Sequence, residues 1–245
     1  MPTHFGVTVR EGKRGLKLTR ETYVIVNNTN SFYPKTDDSP PSRKLYEDMR
    51  RPYLKLGIEP WTDATRKKYT DEWCQWHYKN CIENFDLNME FFSALSRDEF
   101  DAAITTFLEK CQEFTQVSDL NICNEKPGYY MMVLDEYCQV YIGTTDNIRR
   151  RIQQHWSSIK PFDRLLLPIG AVDTSILSVD SFRAYDTTRI YAHITSNTYK
   201  SEDKYINHFP AEFVCNRLAG GEITGGLLQA IAMKKQRQLN NEGRK

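Results

Sequence analysis

The sequence predicts an α/β protein of the α+β kind: a small three-stranded antiparallel sheet flanked by helices, behind an N-terminal strand-plus-helix region. Three features carry this. "GYYMMVL" and "QVYIG" are short aromatic and β-branched runs joined by the polar "DEYC", the pattern of a hairpin. Residues 146–159 then place Ile148, Ile152 and Ile159 on one helical stripe. "RIYAHIT", further on, has the composition of a third strand.

In chain order, "FGVTVREGKRGLKLTRETYVIV" alternates β-branched residues and is broken by Gly12 and Gly15, as in hairpins. "NNTNSFYPKTDDSPPSRK" is a loop by its Asn, Asp, Ser and Pro content. From Lys44 to about Gln116 the pattern turns helical; Ser96 caps a stretch with Phe100, Ala103, Ile104, Phe107 and Leu108 on one face. "SDLNICNEKPG" ends that region and opens a second unit. After the hairpin and its helix, 160–189 is irregular, with one candidate strand in "TSILSV". "SEDKYINHF" is a short helix stopped before Pro210. The division expected is 1–122, a mixed region for target recognition; 123–222, the second unit; and 223–245, a basic helix and tail.

Composition narrows the class. The 245 residues carry a net charge of +1, so any nucleic-acid footprint must be local. The six cysteines are scattered, the first residues lack a signal-peptide core and no apolar run reaches spanning length. A cytoplasmic protein with reduced thiols and no membrane partner is the expectation. Cys74, His77 and Cys81 share a helix face, but zinc would need a fourth ligand and a turn between ligand pairs. Packing is the expected role of that face.

Helix geometry sets Arg151 and His155, four residues apart, at the edge of the isoleucine stripe, with Arg149 and Arg150 toward the flank and the outside. A partly buried arginine cannot shed its charge and needs a carboxylate or a phosphate. Tyr130 and Tyr141 lie on the two hairpin strands, and Gly128 and Gly143 mark points where bulk near the backbone is excluded.

"GYY", ten residues, "YIG", an arginine ten positions after Tyr141 and a histidine four later resemble the GIY-YIG nuclease family over roughly residues 127–221. Tyr129 stands where that family commonly has Ile or Val. The resemblance implies a GIY-YIG-like domain and a divalent-metal-dependent endonuclease that hydrolyses phosphodiester bonds, most readily in double-stranded DNA. It assigns Tyr130 and Tyr141 to the attacking water, Arg151 to the scissile phosphate, His155 to proton transfer or phosphate holding, and Glu202 to the metal, Mg²⁺ or Mn²⁺. Glu202 is placed by Ile206 and Pro210 behind it, with Asp203 and Glu212 as alternatives. Asn216 resembles a late family asparagine that touches substrate. Arg149, Arg150, Lys234 and Lys235 are candidate backbone contacts. A restriction or defence enzyme is the first reading; homing or repair nucleases, or a non-catalytic nucleic-acid-binding module on this scaffold, stand beside it. The oligomeric state stays open, a dimer included.

The facing argument has a direct test. Arg151→Ala is expected to lower cleavage by about 100- to 1,000-fold, as for loss of one transition-state donor. Arg150→Ala should weaken binding modestly and in a salt-dependent way. Equal loss of cleavage in both variants would contradict the assignment.

Overall fold

The computed structural model describes residues 1–26, 51, 54–58, 69–167 and 171–216. The loop expected around residues 27–44, the C-terminal helix and Lys234 and Lys235 lie outside the described residues. The fold is mixed helix and strand with antiparallel sheets.

The N-terminus forms two short strands, β1 (Thr3–His4) and β2 (Val7–Thr8), paired antiparallel. The further strand expected near residue 20 is instead a one-turn helix, α1 (Arg20–Tyr23). Thr19 and Thr22 close a capping box there, which outweighs the β-branched pattern. Helix α2 (Asp71–Ser93) is capped by Thr70, and α3 (Arg97–Lys110) by Ser96. A strand too short to read from sequence, β3 (Thr115–Gln116), follows.

The main sheet has four strands, not three. Strands β4 (Gly128–Leu134), β5 (Gln139–Thr145) and β6 (Arg189–Ile194) are the expected ones, and β3 extends the sheet beyond β6 in the order β3-β6-β4-β5. The β4–β5 register sets Tyr130 opposite Gly143 and Tyr141 opposite Met132. Cys138 takes a left-handed conformation (φ 49°) to close the hairpin.

Strand β4 is buried along its whole length. One face, with Tyr129, Met131 and Val133, packs against Phe100, Ile104 and Phe107 of α3 and against Tyr205 and Phe209. The other, with Tyr130 and Met132, packs against helix α4 (Ile148–Ser157) and against Val7 and Val9. The core therefore runs across the expected boundary at residue 122, because both faces of β4 take cover from the N-terminal region.

Helix α4 is shorter than the 146–159 expected. It ends at Ser157, and Ile159 is 64% exposed, so the buried stripe is Ile148, Ile152, His155 and Trp156. The described residues 160–167 and 171–188 form 3-10 turns and irregular chain rather than a strand, and their Phe162, Leu165, Leu166, Ile176, Leu177 and Phe182 pack on α2. Asn88 of α2 donates to the Ser175 carbonyl and accepts from the Leu177 amide, pinning the segment down. Asp186 is buried and accepts from the amides of Leu18 and Arg183 and from the Tyr137 hydroxyl. No helix among the described residues is long and apolar enough to cross a membrane.

Cys74, His77 and Cys81 are buried on α2, and none of the six cysteines forms a disulfide. The His77 Nε2–H donates to the Phe162 carbonyl at 2.8 Å, and its ring stacks on Trp73. Its buried Nδ1 has no hydrogen-bond partner, so a second ring proton would have nowhere to go.

Burial accordingly holds His77 down at about 4, against a hydrogen bond that opposes it. Because the unfolded chain takes up the proton first, the stability present at pH 7 is lost as pH falls from about 6.5 to 4. His77 alone accounts for about 3 kcal/mol of that loss. Urea unfolding at pH 7 and pH 4 checks this: His77→Phe keeps the stacking and should flatten the acid slope by about that amount.

Candidate active site

The two hairpin tyrosines reach one end of the sheet. Residues 130 and 141 project from the same face, and their ring centroids lie 6.1 Å apart. Tyr130 lies over Gly143, where a Cβ would stand 2.4 Å from the Tyr130 hydroxyl oxygen. The glycine of "YIG" is thus the seat of the other motif's tyrosine.

Asn147 caps α4 by accepting from the Arg150 amide, and the helix turns His155 inward until it is only 2% exposed. His155 Nε2 lies 2.8 Å from the Tyr130 hydroxyl, and Nδ1 lies 2.7 Å from Asp180 Oδ1. Asp180 comes from the 3-10 turn Val179–Ser181, and nothing in the sequence marked it. It is one acid in an irregular stretch, and only the fold brings it 25 residues back to the helix. Arg183 braces the turn, donating to the Asp180 carbonyl and to the Trp156 and Ser158 carbonyls at the helix end.

Arg151 departs from expectation in one respect: it is exposed, not partly buried. Even so, it is near enough to Tyr130, Tyr141, Asp180 and Glu202 to interact electrostatically with each. No carboxylate among the described residues forms an ion pair with it. Arg149 and Arg150 also make no side-chain hydrogen bond or ion pair there. The expected anionic partner of Arg151 is therefore absent from the described protein.

Glu202 begins helix α5 (Glu202–Ile206). It is half-buried and close enough to Tyr130, Tyr141 and Arg151 to interact electrostatically with each. Its carboxylate makes no hydrogen bond or ion pair with the described residues. Burial, then the neighbouring Asp203, pushes its carboxyl above the usual range, although Arg151 opposes this. Asp203 itself is exposed, and the Glu212 carbonyl is bonded to the Gln139 amide group.

Tyr129, on the opposite face of β4, sets the loop before Glu202. Its hydroxyl donates to the Asn197 carbonyl and accepts from the Lys200 and Ser201 amides. The residue expected only to pack thus also anchors the helix start. Asn216 does not face the pocket as a substrate ligand: its side-chain amide accepts from the Ile142 N–H and donates to the Ile142 carbonyl, covering the free edge of β5.

No family model, curated protein or solved structure matches this chain.

Burial dominates the electrostatics. It lifts Tyr130 far above an ordinary phenol, with Tyr141 adding to the rise, and pushes Tyr141 up to about 12. Burial lowers His155 despite the Asp180 hydrogen bond, so its ring is neutral at pH 7. Asp180 is lifted by burial, but His155, Lys160 and Arg151 outweigh this and hold it below the usual carboxylate range. Neither tyrosine is a ready phenolate, and the His155 imidazole is the base hydrogen-bonded to Tyr130.

A divalent cation fits this donor set sparingly. Among the described residues no cluster of three or more His, Cys, Asp or Glu side chains could hold a metal. The unpartnered Glu202 carboxylate, in a half-buried position, suits Mg²⁺, which keeps several waters and accepts one or two carboxylates plus phosphate oxygens.

Gly143→Ala tests the seat. The added methyl must push Tyr130 off the strand, which should cost about 1–3 kcal/mol by overpacking. It should also break the Tyr130–His155 hydrogen bond while leaving far-UV circular dichroism unchanged. Urea unfolding and the imidazole ¹⁵N shifts of His155 report the two effects.

Proposed function

We propose that this protein is a divalent-metal-dependent endonuclease of GIY-YIG type, hydrolysing phosphodiester bonds, most readily in DNA. One observation carries the reading. Among the described residues Arg151 and the half-buried Glu202 form no ion pair, and both act on the same two tyrosines, with a neutral histidine behind them. Opposite charges that sense each other without forming an ion pair suit a phosphate and its cation between them. The motif spacing that resembles the nuclease family supplies these same residues.

In this reading Tyr141 orients the attacking water, since its hydroxyl makes no hydrogen bond with the described residues, while Tyr130 links that water to His155. Arg151 lies against the phosphate oxygens, where charge grows as the water adds. Glu202 would hold the Mg²⁺ or Mn²⁺, which supplies Lewis-acid stabilisation of the same phosphate. Arg149 and Arg150, free on the flank of α4, fit the neighbouring phosphates and add salt-dependent affinity. Asn216 acts indirectly, by fixing the edge of the strand that carries Tyr141.

Supercoiled plasmid and short duplexes incubated with Mg²⁺, Mn²⁺ or chelator test the reading. The unmodified protein should nick or cut only with metal. Glu202→Gln keeps the volume, removes the charge and should abolish cleavage while preserving DNA binding, which tightens as carboxylate–phosphate repulsion falls. Normal cleavage by Glu202→Gln, with loss in Asp203→Asn or Glu212→Gln, would move the metal site.

A further inference from the structure

The line Asp180–His155–Tyr130 contains two hydrogen bonds whose directions are fixed by chemistry. A carboxylate only accepts, so the Nδ1 facing Asp180 at 2.7 Å carries the ring proton. In the neutral ring Nε2 is then bare and accepts from the Tyr130 hydroxyl at 2.8 Å. The Arg151 guanidinium, a donor only, approaches the same hydroxyl oxygen. The hydroxyl is thus left one direction for its own proton, toward His155. Tyr141 meets His155 differently, edge to ring at 5.0 Å between centroids, and so packs on the imidazole without sharing its proton.

We propose that Asp180 is a positioning residue that fixes the Nδ1–H tautomer of His155, making Nε2 the proton acceptor for Tyr130 during water attack. This rests on the nuclease reading above. In the step, one O–H bond of the water breaks and its electron pair forms the new P–O bond. The water's proton bonds to the Tyr130 oxygen as Tyr130's own proton moves to His155 Nε2. Tyr130 ends neutral, and the imidazolium is stabilised against the Asp180 carboxylate. The bond from phosphorus to the leaving oxygen breaks with its electron pair, and that oxygen takes a proton from solvent. His155 then returns its proton to solvent through Tyr130. No free phenolate forms, in keeping with a tyrosine buried this deeply.

The surroundings limit the alternatives. Arg151 and Lys160 are the cations that act on both His155 and Asp180, and each disfavours a resting imidazolium. Asp180 is braced through its backbone by Arg183, so the carboxylate is held on the imidazole by a turn with its own anchors.

Full-length protein with ¹⁵N-labelled histidine provides the test, His155 being assigned by comparison with His155→Gln. The unmodified protein should show His155 as neutral Nδ1–H. Asp180→Leu leaves Nδ1–H without an acceptor in a buried site, so the ring should switch to Nε2–H and donate to Tyr130. With that tautomer, turnover should fall about 100-fold or more while DNA affinity changes less than about two-fold, the signature of a lost base rather than a lost contact. Asp180→Glu should retain the Nδ1–H form and recover at least about a tenth of the rate, a rescue a merely structural role would not give. An Nε2–H ring in the unmodified protein, an unswitched ring in Asp180→Leu, or full turnover with a switched ring would each overturn the proposal. If Asp180→Leu does not fold, the unmodified protein and Asp180→Glu still decide it. Should the unmodified protein cleave no nucleic acid with any divalent ion, the nuclease reading fails, and the tautomer measurements judge Asp180 separately.

Discussion

Tyr129 and Tyr130 place their hydroxyls on opposite faces of a strand buried on both, and a buried hydroxyl left unpaired is costly. Each must therefore recruit a polar partner, and those partners organise the rest of the site. On one face Tyr129 gathers the loop at residues 197–201 and so fixes where Glu202 begins its helix. On the other, Tyr130 draws His155 out of helix α4, and His155 in turn requires Asp180. Two adjacent tyrosines thereby anchor both the loop that leads to Glu202 and the imidazole of His155.

Charge pairing sets this region apart from the remainder of the molecule. Arg97, Asp101, Asp135 and Arg189 form a mutual network on the sheet's flank, and Arg20 meets Asp86. Such exposed pairs contribute little stability each, and they show where the fold satisfies its charges internally. Arg183, deeply buried, is satisfied by carbonyls, and Asp186 by two amides and a hydroxyl. Arg151 and Glu202 have no such arrangement among the described residues, although they are near enough to interact electrostatically.

The local signals in the sequence were strong where one element carried the whole pattern. The hairpin, the cap at Ser96, the third strand and the residues of the Tyr–Tyr–Arg–His constellation each follow from spacing along a few turns or one strand pair. The start of α1 was misread because the threonines at 19 and 22, strand formers by propensity, bond each other across a capping box. The end of α4 was misread because Ile159 belongs to the helical period but lies beyond the cap, in solvent. The N-terminal region gave no sign that it would cover both faces of β4, since a helix stripe reports that a face is buried and not what buries it.

What the sequence determined by itself was the hairpin, its glycines and the positions of its two tyrosines. Those depend on contacts between residues a few positions apart, where backbone geometry alone fixes direction. The tertiary structure alone decided that Asp180 completes the His155 line, that Tyr129 anchors the approach to Glu202 and that Asn216 guards the edge of β5 instead of facing the pocket. Each of these is a hydrogen bond between segments separated by 25 to 74 positions. The residue types involved, an aspartate, a tyrosine and an asparagine in irregular or unremarkable surroundings, carry no periodicity to reveal their partners. A polar side chain's role is set by what the folded chain brings within about 3 Å of it.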